Sequence, residues 1–119
     1  AGVFRKSQTN IGVNVIYISQ ELKMIFDDVE FWLANDIYDL RVIAIRLHHR
    51  LVFVHPFPNG NGRFSRLFAD LFLHNNNEVS FTWGRCSLVE DSVIRKQYIS
   101  ALKEADKGDY QKLIEFADS

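Results

Sequence analysis

The stretch from His55 to Arg66 reads His-Pro-Phe-Pro-Asn-Gly-Asn-Gly-Arg-Phe-Ser-Arg. Asn59-Gly60-Asn61-Gly62 is a turn whose two glycines can take positive φ, and it stands just ahead of a helix. Backbone N–H groups of such a turn, with the N-terminus of the helix behind them, make a cradle for a phosphate. Arg63 falls on the first turn of that helix and Arg66 three residues later on the same face, so a polyphosphate in the cradle would meet both. Arginine suits this task because its planar fork takes phosphate bidentately. His55 lies at the mouth of the same loop, and imidazole is the side chain best suited to moving a proton near neutral pH. An anion hole, two arginines and a histidine are the parts of a phosphoryl or nucleotidyl transfer site. A bare Gly-Asn-Gly would be read as a plain helix–turn–helix corner; the His and Arg residues around it carry the chemical reading.

Charge along the chain sharpens the question. No acidic residue occurs between Asp39 and Asp70, while that window holds Arg41, Arg46, Arg50, Arg63 and Arg66 with His48, His49 and His55. Two readings stay open: a site for a small anionic ligand, or arginines paired with acids of other segments such as Asp27, Asp28 and Glu30. The net charge of the 119 residues is −1, which argues against a general nucleic-acid binder. A composition 47% apolar and 24% charged is that of an ordinary globular chain, and the length suits one domain. Cys86 is the only cysteine, so a disulfide framework or a cysteine-based zinc site within one chain is excluded and a reducing, cytoplasmic setting is expected. No apolar run approaches the roughly 20 residues of a membrane span. The chain opens on Ala1 rather than Met and reads as a processed or truncated piece of a longer protein.

The elements that must position these residues follow from periodicity. Val3 to Ser7 and Val13 to Ile18 have strand character around a turn-like segment and predict a hairpin. Ser19 is expected to cap a helix running to about Asn35, with Leu22, Ile25, Phe26, Val29, Trp32 and Leu33 at helical spacing. Asp39 caps the next helix, to about Val54, whose apolar residues cover most of its circumference and predict a central, buried position. Pro56 and Pro58 end it. A helix from about Arg63 to His74 follows, and Val79 to Trp83 is ambiguous between extended and irregular backbone. Ser87 and Glu90 form a capping box for a helix to about Lys107, Gly108 stops it, and Asp109 can cap a last one carrying Leu113, Ile114 and Phe116. His48, seven residues before His55, has no carboxylate near it in sequence to complete a metal site; His49 and His74 read as packing or surface residues. Trp83 is open between core packing and lining a nucleotide pocket.

His55-Pro56-Phe57, two residues, Gly60-Asn61-Gly62-Arg63, two more, then Arg66 resembles the signature of the Fic (Fido) domain family. Eight identities at fixed spacing arise by chance with a probability on the order of 10⁻⁸ in a chain this long. The opening Gly-Val-Phe-Arg, the later Trp83-Gly84-Arg85 and the segment Ala101 to Gly108 are similar to the "mobile mystery protein B" branch, so the resemblance covers nearly all of residues 1–119. It implies a mostly α fold, a Fic-type helical core with a short N-terminal β-hairpin flap, and an enzyme that transfers AMP from ATP, with Mg²⁺, to a hydroxyl of a target protein. By matching positions, His55 would be the general base. Gly60, Asn61 and Gly62 would form the anion hole for the α- and β-phosphates, Arg63 would bind the β-phosphate and Arg66 the γ-phosphate region. Phe57 would anchor the loop in the core. The flap over residues 3–18 would align a Ser, Thr or Tyr of the target by strand addition.

Two departures bear on these expectations. The family usually carries Asp or Glu before Gly-Asn-Gly to help hold Mg²⁺; this chain has Asn59, which offers a carbonyl oxygen without charge. Family members are commonly silenced by a helix bearing Ser/Thr, three residues, Glu, then Gly/Asn. Ser100 and Glu104 have that spacing, but Ala105 follows and both read as part of an ordinary core helix. The inhibitory element is therefore expected upstream or on an antitoxin-like partner. Transfer of UMP or a phosphoryl group, and a nucleotide-binding module without catalysis, are the alternatives; Gly62 argues against the kinase branch, which has Lys there, and intact His55 against a module without chemistry.

Overall fold

Helix α2 (Leu40–Val54) is the axis around which the chain is wrapped. It starts where expected, because Asp39 Oδ1 accepts a hydrogen bond from the Val42 N–H at 3.0 Å. Apolar residues on two sides of it serve two separate cores. Ile43, Leu47, Leu51 and Val54 pack with Ile18, Ile25 and Val29 of α1 (Ile18–Ala34) and against Phe64, Phe68 and Phe72 of α3 (Asn61–Asn75). Ala44 and Ile45 join the second core, built from Ala69 and Leu73 of α3, Phe81, Trp83, Tyr98, Ala101 and Ala105 of α4 (Val93–Asp106), and Leu113, Phe116 and Ala117 of α5 (Gln111–Ala117). A helix apolar around most of its circumference is stable only with neighbours on both sides, and α2 has them. The computed structural model describes residues 4–6, 14–57, 60–85 and 93–119. Among the described residues no helix is long and apolar enough to cross a membrane.

The fold is mostly α as expected, with one correction at its start. Val15–Tyr17 forms a 3₁₀ turn that runs into α1, and among the described residues there is no strand. The second arm of the expected hairpin is therefore helical where it can be seen. Asn14 Oδ1 captures the Ile16 N–H at 3.1 Å and starts this turn, and Ile18, only 2% exposed, is drawn into the first core as the first residue of α1. Ser19 consequently lies inside the helix rather than capping it. Of the first arm, Phe4 to Lys6 lack strand pairing, and Val3 and residues 7–13 lie outside the described residues.

Other boundaries move for local reasons. Helix α3 begins at Asn61, two residues earlier than expected, because Gly60 takes the left-handed conformation (φ 75°) that lets the helix start at once. Val79 to Trp83 are not a strand: the Phe81 N–H bonds Asp70 Oδ1 at 3.3 Å, the Thr82 N–H bonds the Ala117 carbonyl at 2.9 Å, and a 3₁₀ turn follows over Trp83–Arg85. Gly108, at φ 92°, follows the end of α4, and Asp109 Oδ1 accepts from the Gln111 N–H at 3.1 Å to open α5. Ser87 and Glu90 lie outside the described residues.

One polar side chain sits at the centre of this packing. His48 is fully buried on α2, its ring 4.7 Å from that of Trp83 and its Nε2 2.9 Å from the Tyr98 hydroxyl. Burial drives its pKa down to about 3, against a pull the other way from the Ser65 backbone, and the nearby Arg66 charge adds to the fall. The depressed value has a sign: stability from a neutral His48 is fully present above pH 6.5 and is lost as pH falls towards 3. Between about pH 6 and pH 4 the protein should lose about 1.4 kcal/mol per pH unit more than a His48→Gln variant, read as the difference in urea unfolding free energy at each pH.

Candidate active site

The site is built on the corner between α2 and α3. At His55 the backbone turns left-handed (φ 53°, ψ 58°), which ends α2 and aims the imidazole across the corner rather than along the helix. Pro56 is buried behind it. The carbonyls left open here are collected by one residue, Arg5. Its N–H bonds the Pro56 carbonyl at 2.8 Å, its Nε the His55 carbonyl at 2.5 Å and its Nη2 the Val54 carbonyl at 3.2 Å. Arg5 is only 3% exposed, a cation seated on the negative end of the helix dipole.

Asn61 closes the corner from the other side. Its Oδ1 accepts from the Phe57 N–H at 2.9 Å and its Nδ2 donates to the Phe57 carbonyl at 2.8 Å, so one side chain clamps both backbone groups of Phe57. The same Nδ2 lies 3.2 Å from His55 Nε2. An amide nitrogen can only donate, so Nε2 is the acceptor and the ring proton belongs on Nδ1. Burial lowers the His55 pKa from its ordinary 6.5, and the Arg5 charge lowers it further, which keeps the imidazole neutral at neutral pH. The half-buried Phe57 ring packs edge-on against Phe64 at 4.7 Å and beside Phe4 at 5.9 Å, and Phe64 continues to Phe68 at 4.8 Å.

The remaining motif residues stand at the head of α3, where the first N–H groups of a helix have no intrahelical partner. Both arginines fold back over the glycines. A Cβ on Gly60 would lie 3.6 Å from Arg63 Nη2, and one on Gly62 would lie 3.1 Å from Arg66 Nη1, a contact that would push the guanidinium away. The arginine window of the sequence resolves by partner. Arg50 pairs with Asp28 at 2.5 Å and Arg41 with Asp118, while Arg46 is stacked between the rings of Tyr38 and Tyr110 at 4.2 and 4.4 Å. Arg63 and Arg66 form no ion pair with a carboxylate among the described residues. Three of the five are thus held by carboxylates or tyrosine rings of other elements, and Arg66 lies near the ring of Tyr98.

Several residues of this region are not marked for it by sequence reasoning. Arg5 is visible only as part of the resemblance of the opening segment, and nothing local marks an arginine as buried. Asp70 is visible as the end of the acid-free window: it sits one helical turn beyond Arg66, and both its oxygens accept from Trp83 Nε1 at 3.1 Å. Burial raises the Asp70 pKa, the Trp83 and Phe81 hydrogen bonds and the Arg66 charge pulling against it. Trp83 itself is 8% exposed and belongs to the core. Tyr98 reaches Arg66 from α4, the guanidinium lying 5.6 Å from its ring centroid. Ser100 and Glu104 lie on the same helix, as expected from their spacing. Asn59 lies outside the described residues, and among those described no group of three His, Cys, Asp or Glu side chains could hold a metal ion.

The three carbonyls held by Arg5 give it a measurable weight. Arg5→Met keeps most of the volume and removes the donors, and it should cost about 2–3 kcal/mol in urea unfolding. Arg5→Lys should recover only part of this, because an ammonium lacks the fork that reaches neighbouring carbonyls.

Comparison with known proteins places this geometry. The chain is 30% identical over 119 residues to the protein adenylyltransferase Fic of Drosophila grimshawi, an alignment covering 97% of this chain and 23% of the relative. It is 29% identical over 118 residues to the protein of the same name from Aedes aegypti, covering 97% and 22%. The chain therefore spans under a quarter of the length of the curated relatives it matches. Among solved structures, Fic-1 from C. elegans superposes with a TM-score of 0.74 at 29% identity, over 99% of this chain and 33% of that one. The Fic/DOC family model matches residues 2–73, which hold the whole corner from Arg5 to Arg66. On that match, and on the helical core shared with Fic-1, this chain belongs to the Fic/DOC family.

Proposed function

We propose that this site transfers AMP from ATP to a hydroxyl side chain of a target protein. The observation that carries the reading is the pair of arginines at the head of α3, neither of them in an ion pair among the described residues, next to the corner where α2 ends in a neutral His55. The names of the related adenylyltransferases support AMP as the group and ATP as its source.

In this reading the polyphosphate lies over Gly60, Asn61 and Gly62, with Arg63 on the β-phosphate and Arg66 on the γ-phosphate region. The target hydroxyl oxygen attacks the α-phosphorus, the bond from that phosphorus to the bridging oxygen breaks, and pyrophosphate leaves. The hydroxyl proton passes to His55 Nε2, the unprotonated nitrogen, whose lone pair the Asn61 N–H gives up as the hydroxyl takes its place. The two guanidinium groups take up the charge that develops on the leaving pyrophosphate. Mg²⁺ carried with ATP would supply positive charge at the phosphates, and by the sequence match Asn59 would offer it one neutral carbonyl oxygen. An inhibitory element carried upstream or by a partner would act by bringing a carboxylate to Arg66.

The test is incubation of the protein with each α-labelled nucleoside triphosphate, Mg²⁺ and cell lysate, followed by mass spectrometry of the modified proteins. Labelling from ATP alone is expected; labelling from UTP, or from the γ-position of ATP, would replace the AMP reading by another transfer. His55→Ala should lower transfer by roughly 10²–10⁴ while nucleotide binding stays within a few-fold. The parent's transfer rate should rise with pH and level off at a midpoint below 6.5, the direction in which burial and Arg5 move His55. Arg66→Ala should weaken ATP more than AMP in calorimetry, by about 1.5–3 kcal/mol.

A further inference from the structure

We infer that Tyr98 and His48 are positioning residues for Arg66, a relay from the buried centre of the domain to the guanidinium that meets the distal phosphates. The inference rests on the phosphate role proposed for Arg66 and adds what holds that side chain ready. Three helices contribute one member each: His48 from α2, Arg66 from α3 and Tyr98 from α4. His48 Nε2 and the Tyr98 hydroxyl are 2.9 Å apart in a buried contact, and the Arg66 guanidinium lies over the Tyr98 ring at 5.6 Å. Gly62 makes the meeting sterically feasible. A Cβ there would come within 3.1 Å of Arg66 Nη1 and 4.0 Å of the Tyr98 hydroxyl, so the missing side chain is the space in which the two converge.

Direction follows from the donor inventory. A guanidinium has only donors, so the Tyr98 hydroxyl can meet Arg66 only with its oxygen, which leaves its proton for His48. A neutral imidazole can accept it, and His48, with its pKa lowered to about 3, stays neutral through the physiological range. The Tyr98 pKa is raised by burial, while the Arg66 charge and its hydrogen bond pull it down, so Tyr98 keeps its proton and the relay its direction. A long, flexible arginine fixed beforehand loses less conformational freedom when the ligand arrives. Simple core packing of Tyr98 would explain its burial, but it would give the hydroxyl no influence over which nucleotide binds.

Calorimetric titration of ATP and AMP into the parent, Tyr98→Phe, Arg66→Ala and the double variant separates these readings. Tyr98→Phe keeps the ring under the guanidinium and removes only the hydroxyl. It should weaken ATP roughly three- to tenfold, leave AMP within about twofold, and add nothing in the Arg66→Ala background. Equal weakening of ATP and AMP, or the same effect with and without Arg66, would overturn the relay while Arg66→Ala kept its own ATP-selective loss. If Arg66→Ala itself weakened both nucleotides alike, the phosphate reading of Arg66 would fall and the relay with it. His48→Gln, which keeps an acceptor near Nε2, should hold the ATP-to-AMP affinity ratio at the parent value, and His48→Leu should reproduce Tyr98→Phe. Identical ratios for these two variants would also overturn the relay.

Discussion

The abrupt end of α2 is the constraint on which the corner depends. A helix leaves its last carbonyls without N–H partners, and here the following residue that could have supplied one is Pro56. His55 turns left-handed, an uncommon conformation for a side chain with a Cβ, and the carbonyls of Val54, His55 and Pro56 go to Arg5. Strain at a single residue persists only when its surroundings over-determine it. Arg5 in front, Asn61 across the turn and the Phe57–Phe64 contact behind do so. The residue carrying the strain is also the one whose imidazole meets Asn61 at the head of α3.

Electrostatics in the corner are arranged by subtraction. A window with five arginines and no acid would repel itself if all were left open. Arg41 and Arg50 are tied to carboxylates outside the window, Arg46 is held between two tyrosine rings, and Arg5 adds a cation that is buried on backbone carbonyls. The positive charge that remains is concentrated at the head of α3, where the helix dipole has the same sign. Arg63, Arg66 and the helix N-terminus thus share the start of α3, a positive potential that would suit an anion.

The second core explains how that volume is kept in shape. Its apolar side chains surround polar ones: His48 with Tyr98, and Trp83 with Asp70. A buried polar group left unpaired costs more than an apolar one in its place, so such groups are tolerated where they meet each other in defined geometry. Each pair links elements that apolar contact alone could let slide. The Trp83–Asp70 contact ties the 3₁₀ turn to α3, and His48 with Tyr98 ties α2 to α4.

Local chemistry is legible wherever neighbouring residues force a conformation. Asp39 capping α2, the all-round apolar surface that makes that helix central, the proline-ended corner, the glycine turn and the two arginines on one helical face are consequences of near neighbours, and residue order alone reveals them. The expected hairpin fails at residues 14–18, because β-branched residues favour a strand locally while burial of Ile18 against α2 favours a helix, and burial is a tertiary quantity. Charge pairing is undecidable from residue order for the same reason: whether Arg50 or Arg66 meets a carboxylate depends on which helix lies opposite. Arg5, Asp70 and Tyr98 come to the corner from 50, 15 and 43 residues away from His55 in the chain, and no spacing rule spans such distances. The order of residues dictates where the chain must turn between α2 and α3 and which side chains stand beside that turn. Which arginines stay unpaired, and what holds them, is set by the packing of α2, α3 and α4, because desolvation and partner choice exist only once the helices have met.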